Sequence, residues 1–220
     1  MLILPPRGGE KQAPQGFPAQ AGASTLSPMS DITIAPVDEA AWDDVQAIFS
    51  AGGDGPGCQC MWPLMRSVDF SKATRAELER GFRDDIRRSP APGLVLHIDG
   101  EPAGWVRVGP RPRQARLRHT RGLPAASAHD IDDGSVWAVT CFSIARPFRG
   151  SGIMARLLDA AIVHARQHGA RIIEGYPRDP SRPGARANDL FVGTLATFTR
   201  VGFRVVAPLG ASKQIVELAL

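Results

Sequence analysis

Cys141–Ala161 reads CFSIARPFRGSGIMARLLDAA. A short apolar run enters a turn punctuated by Gly150 and Gly152, and a helical pattern leaves it. Such a turn presents successive backbone N–H groups at the positive end of a helix dipole, where phosphate oxygens bind. The fold and the ligand both depend on which phosphates this turn serves.

The elements on either side narrow the answer. ITIAPV, from Ile32, alternates as a strand, and Asp38 is placed to cap a helix carrying Ala41, Val45, Ile48 and Phe49. Residues 51–57 read as a loop. Thr74 and Glu77 form a capping box ahead of Leu78, Phe82 and Ile86. LVLHI and PAGWVRVG flank Asp99-Gly100, a pair that tolerates positive φ and so predicts a hairpin. Residues 110–135 have no period and hold Arg111, Arg113, Arg116, Arg118 and Arg121, then Asp130, Asp132 and Asp133. A stretch of that length inside a compact domain is either functional or disordered. VWAVTCFSI is the strand before the turn. The helix after it runs from about Gly150 to His168, with Ile153, Leu157, Leu158, Ala161, Ile162 and Ala165 on one face and Gly169 at its end.

ARIIEGYP then reads as a strand, 177–187 as a loop, and 190–200 as a helix stopped by Gly202; FRVVA and QIVELAL close the chain as strands. The order β-α-α-β-β-β-α-β-α-β-β predicts a mixed α/β fold, its central sheet mostly antiparallel and flanked by helices. One β-α-β crossover surrounds the glycine turn. Residues 1–30, rich in Pro, Gly, Ala and Gln, are expected to be a disordered tail. Met29 opens the more regular stretch, 1–28 reads as an upstream extension, and 31–220 is expected to be a single domain.

Gly150-Ser151-Gly152-Ile153-Met154-Ala155 fits the loose dinucleotide pattern G-x-G-x-x-A, and Glu174 lies near the distance at which that fold places an acidic residue. Yet a dinucleotide fold needs several further β-α units, and only 65 residues follow Ala155 in a chain of 220. The second reading uses more of the stretch: an apolar strand, Arg149, then Gly150-x-Gly152 opening an amphipathic helix, with Arg146 and Arg149 adding charge. Here the chain resembles the GNAT superfamily of acetyl-CoA-dependent N-acetyltransferases. Their signature, [Arg/Gln]-x-x-Gly-x-[Gly/Ala], appears as Arg149-Gly150-Ser151-Gly152-Ile153-Met154, with Met154 at the small-residue place. FTRVGFRVV is similar to that family's last helix, Gly-Phe turn and strand, and CFSIARPFRGSGI and EGYP resemble a bacterial branch of it.

The resemblance implies an acetyl-CoA cosubstrate and an enzyme that acetylates a primary amine of a small molecule or protein by direct attack in a ternary complex. A non-catalytic acyl-CoA-binding module is the alternative. It further implies that strand 137–144 splays from its neighbour and pairs with pantetheine through Phe142 and Ile144, with Ser143 between them. The pyrophosphate would lie on Arg149, Gly150, Ser151, Gly152, Ile153 and Met154. The N–H of Phe142 or Cys141 would polarise the thioester carbonyl. Glu174 is the first candidate for the base that takes the amine's proton; the other reading pairs it with a nearby arginine such as Arg171 or Arg178. His129, Asp130, Asp132 and Asp133 are reserves. Where many such enzymes place a tyrosine as acid, this chain has Phe198. Either the thiolate leaves unaided or another group serves, with Tyr176, the sole tyrosine, as a candidate.

Composition is ordinary for a globular protein: 43% hydrophobic and 22% charged residues. The net charge of +4 is carried almost wholly by arginine, Lys11, Lys72 and Lys213 being the three lysines. That excess is too small to predict nucleic-acid binding, and interleaved aromatics are missing. The arginines of 111–121 read as a solvated loop, or else as a grip on the coenzyme A 3′-phosphate or on an acidic acceptor. Cys58, Cys60 and Cys141 make a poor disulfide framework and, with His97, His119 and His129 scattered, no zinc spacing; buried or pocket-lining thiols are expected, and no metal. Trp62, Trp105 and Trp137 read as core, with Trp62 also a possible wall of an acceptor pocket. No run approaches the 18 apolar residues of a membrane span and no signal peptide is evident. A cytoplasmic protein without membrane contact, monomer or homodimer, is expected.

Overall fold

The computed structural model describes residues 30–51, 55–182 and 191–220. The tail expected over 1–30, apart from Ser30, lies outside the described residues, as do 52–54 and 183–187 of the two expected loops and 188–190, where the last helix is expected to begin. The elements in chain order are β1 (Ile32–Pro36), α1 (Trp42–Ser50), α2 (Gly55–Cys58), α3 (Ser67–Phe70), α4 (Arg75–Ile86), β2 (Gly93–Ile98) and β3 (Glu101–Pro110). They continue with α5 (Ala115–Arg118), α6 (Leu123–Ala126), β4 (Val136–Ile144), α7 (Ile153–Gln167), β5 (Ile172–Gly175), α8 (Leu195–Arg200), β6 (Arg204–Leu209) and β7 (Lys213–Ala219).

The strands form one sheet in the order β1-β2-β3-β4-β5-β7-β6, antiparallel except for the β4–β5 pair that α7 connects. This is the mixed, mostly antiparallel α/β sheet that the sequence pattern predicts. Local signals account for its joints. Thr74 Oγ1 accepts from the Glu77 N–H while the Glu77 carboxylate accepts from the Thr74 N–H, which starts α4. Asp99 and Gly100 have φ of 51° and 82°, the left-handed pair that a two-residue hairpin requires. Asp38 differs from its expected role. Its carboxylate accepts from Ala40 and Ala41 in the turn before α1, and Ala41 is the cap.

Helices cover both faces of the sheet. On one side α7 and α8 bury Ile153, Leu157, Ala161 and Phe198 against Leu96, Val106, Val139 and Ile173. On the other, α1 and α4 bring Phe49 and Phe82 edge-on to Trp105, with ring centres 6.1 and 5.5 Å away. Trp105 and Trp137 are core, as expected. None of the described helices is long and apolar enough to cross a membrane.

Gly175 ends β5, and a Cβ there would lie 2.2 Å from Phe198 Cε1. Phe198 is fully buried, so the ring has no room to withdraw. Gly175→Ala is therefore expected to overpack the core and cost about 1–3 kcal/mol, measured as a lower urea midpoint with an unchanged m value.

Candidate active site

The site begins where two parallel strands part. β4 pairs with β5 only from Val136–Ile172 to Val139–Gly175, yet β4 continues to Ile144 on the arm of β3 alone. A bulge helps to open the gap: Arg107 faces Cys141 and Val108 faces Val139, so Thr140 is the extra residue. The Ala145 N–H donates to Ala103 O at 2.9 Å. By alternation along an antiparallel ladder, the main-chain groups of Cys141 and Ser143 then face β3, and those of Phe142 and Ile144 face the gap that β5 has left. Phe198 packs behind the gap, its ring edge-on to Phe142 at 6.2 Å. Its position carries no hydroxyl, so α8 supplies no acid here.

The glycine turn lies at the end of β4. Gly150 and Gly152 both have φ of 81°, a conformation that suits glycine, and α7 starts at Ile153. Among the described residues no backbone acceptor takes the N–H groups of Ser151, Gly152, Ile153 or Met154. They end a 15-residue helix, so the dipole adds to their pull on an anion. Arg149 is exposed and anchored through Nε to Ile144 O at 3.0 Å. Met154 and Phe148 are partly buried and pack against the core.

On the opposite face of the parted strands is a cavity of about 340 Å³. Thr140 and Tyr176, one from each side of the gap, line it, together with Trp62, Leu123, Val192 and Leu209. Trp62, 36% exposed, walls the cavity and is not core. Glu174 is not among the lining residues. Its carboxylate is fully buried and accepts from Arg111 Nη1 at 2.9 Å, Ser127 Oγ at 3.0 Å and Tyr176 Oη at 2.7 Å. The partner is thus Arg111, neither Arg171, which pairs with Asp133, nor Arg178. Burial pushes the Tyr176 hydroxyl well above its usual range, and the neighbouring Glu174 adds to this. Tyr176 is the group that connects Glu174 to the cavity.

The reserve residues lie elsewhere. His129 Nε2 contacts Glu217 at 3.1 Å, Asp130 accepts from the Asp132 N–H, Asp132 pairs with Arg118, and Asp133 holds Ser135 and Arg171. Glu217 is the cross-strand neighbour of Glu174. Donor atoms of His129, Glu174 and Glu217 fall within 4.8 Å of one another, but Arg111 and Arg204 already neutralise the two carboxylates that a metal ion would need.

The thiols form a third group. Cys60 is buried, with φ of 50°, and accepts from Trp105 Nε1 at 3.2 Å and Arg107 Nε at 3.1 Å, while Arg107 Nη1 pairs with Asp85 at 2.7 Å. Burial alone would raise this thiol; the hydrogen bond from Cys141 and the Arg107 charge outweigh it and hold Cys60 down at about 6. Cys141 is pushed up by donating to Cys60. Of the three thiols expected to be buried or pocket-lining, Cys60 is buried and Cys58 and Cys141 are partly exposed, and nothing in the local sequence marks Arg107 as the partner of Cys60.

With this geometry in view, comparison with known proteins is informative. A family model described as "Acetyltransferase (GNAT) family" matches residues 59–187. The chain belongs to the GNAT family of acetyltransferases. Among solved structures it is similar to the PaiA N-acetyltransferase of Thermoplasma acidophilum in complex with coenzyme A, at 13% identity over 86% of this chain and 99% of that one, TM-score 0.51. It is also similar to an agmatine N-acetyltransferase mutant in its apo form, at 13% identity over 86% and 100%, TM-score 0.53. A third is yncA of Salmonella typhimurium, a putative acetyltransferase with its cofactor acetyl-CoA, at 13% identity over 86% and 94%, TM-score 0.51. No curated protein matches the chain in sequence. At these identities the likeness is one of fold.

The Cys60–Arg107 contact gives a pH signature. A thiol lowered from 9.0 to about 6 on folding adds stability as pH rises from about 6 to 9, and Cys141, shifted the other way, removes some above 9. Relative to Cys60→Ser, the unmodified chain is expected to gain stability from pH 6 to pH 9, read from urea unfolding under reducing conditions.

Proposed function

We propose that this GNAT chain is an acetyl-CoA-dependent N-acetyltransferase that moves the acetyl group to a primary amine by direct attack in a ternary complex. The observation that carries this reading is the gap between β4 and β5, which has unpaired phosphate-binding N–H groups at one end and a cavity at the other. The pyrophosphate of acetyl-CoA sits on Gly150, Ser151, Gly152, Ile153 and Met154, with Arg149 beside it. Pantetheine runs along Phe142, Ser143 and Ile144. The open-edge N–H of Phe142 points at the thioester oxygen, a single preorganised donor for the developing oxyanion. The Ile144 carbonyl is held by Arg149, so the N–H of Ile144 is the group left for pantetheine.

The amine enters from the cavity. Its lone pair attacks the acetyl carbon, the C–N bond forms, and the C–S bond breaks to release coenzyme A thiolate. The nitrogen's proton passes to Tyr176 Oη as Tyr176 gives its own proton to Glu174, 2.7 Å away. Glu174 is then the base at one remove, and Tyr176 is the group that meets the amine. Phe198 supplies no proton to the thiolate, which leaves as an anion stable enough to depart; free thiols titrate near ~8.5.

Acetyl-CoA, and not NAD, is expected to raise the melting temperature by mass action, and equal indifference to both would overturn the reading. Binding without thiol release across an amine panel would instead identify an acyl-CoA-binding module. Tyr176→Phe removes one hydroxyl and leaves Arg111 and Ser127 on Glu174. It is expected to lower kcat by about 10²-fold or more with the acetyl-CoA thermal shift intact. An unchanged kcat would remove the relay alone.

A further inference from the structure

The cavity's lining is uneven in charge. Arg116, His119, Arg121 and Lys213 are among its residues, and no described carboxylate is. Between the basic groups the walls are apolar, with Trp62, Leu117, Leu123 and Leu209. The fold sorts the five arginines of 111–121. Arg111 is buried on Glu174, Arg113 donates to Ser89 O, and Arg118 pairs with Asp132. Arg116 and Arg121 go to the cavity.

Arg116 is fixed in place. Its guanidinium lies 3.3 Å over the Trp62 ring, Nε donates to Trp62 O at 2.6 Å, and Nη1 donates to Ser67 Oγ. Nη2 is enclosed and has no partner. The charge of this held guanidinium acts on the cavity whose wall it forms. Arg121 stands exposed at the rim, with no hydrogen bond or ion pair among the described residues. Such a lining repels a second cation. It also favours the neutral form of a bound amine, which is the form that attacks, because nearby positive charge disfavours the ammonium.

Resting on the acetyltransferase reading above, the geometry points to an acceptor that carries a carboxylate and an apolar body beside its reacting amine: an amino acid with a free amino group and an apolar side chain. The carboxylate lies toward Arg116 and Arg121, the apolar body against Trp62 and Leu123, and the amine toward Tyr176. A cavity of about 340 Å³ is of the right order for a molecule of that size.

The test uses the full chain in two stages. A thermal shift with acetyl-CoA comes first; its absence would remove the acetyltransferase reading itself. With that shift in hand, thiol release is followed for matched pairs: phenylalanine against phenethylamine, and leucine against isoamylamine, each compared per unit of unprotonated amine. The amino acid is expected to exceed its decarboxylated twin in kcat/KM by about tenfold or more, the scale of one charged hydrogen bond. Arg121→Gln is expected to narrow that ratio through KM, and Arg121→Lys to restore part of it. If the plain amines react as fast as the amino acids, if neither member of a pair reacts, or if Arg121→Gln leaves the ratio unmoved, the inference is overturned while acetyl-CoA binding stands.

Discussion

A carboxylate and a guanidinium, both enclosed, tie the long connection after β3 to the sheet at the place where β4 and β5 part. Glu174 and Arg111 are each shielded from solvent and meet at 2.9 Å. Removing such charges from water costs several kcal/mol per ion, and their attraction offsets this only when the remaining lone pairs and protons are also satisfied. Here they nearly are. Ser127 and Tyr176 complete the carboxylate, and the carbonyls of His129 and Asp130 take the second guanidinium nitrogen, leaving only Arg111 Nε without a partner. The pair therefore fixes three things together: the path of 127–130, the end of β5, and the Tyr176 hydroxyl. Breaking it from either side would leave an uncompensated buried charge, on the order of 3–5 kcal/mol.

The gap also needs something to keep it open on the α7 face. Two short parallel strands with no obstacle between them would go on pairing, since every added residue satisfies backbone groups. Phe198 prevents this. It sits against Gly175 at the last paired position and against Phe142 on the unpaired length of β4. A phenyl ring without a hydroxyl suits this role because nothing polar is buried with it.

What was legible in the sequence follows the range of the interactions. The Thr74–Glu77 box and the Asp99-Gly100 turn depend on residues within a few positions and are as the sequence predicts, while α7, expected from about Gly150, starts at Ile153 with Gly152 as its cap. The asymmetry of β4, paired over part of its length, was expected only through the family resemblance. Arg111 looked like its four neighbours in 111–121, and nothing local marks it. It differs because β3 delivers it to a strand 63 residues further on. Tyr176 is a candidate acid in the sequence, but its contact with Glu174 depends on how the chain turns after Gly175. Cys60 was hidden for the same reason, since its charge depends on Arg107, 47 residues away.

Two guanidiniums from the end of β3, Arg107 and Arg111, thus sit behind the site, one holding Asp85 and Cys60, the other Glu174. An arginine does not lose its proton in a protein. Each of these buried groups therefore faces a permanent counter-charge in the framework around the gap. A lysine in either place would shift when buried and make that framework pH-dependent. In the proposed reaction the acceptor amine arrives as an ammonium and reacts as the free base. The interior holds its charges in pairs, and Arg116 and Arg121 stand at the cavity. In the proposed reaction these two guanidiniums aid loss of the ammonium proton, and Tyr176 with Glu174 gives the remaining proton a path away from the new C–N bond.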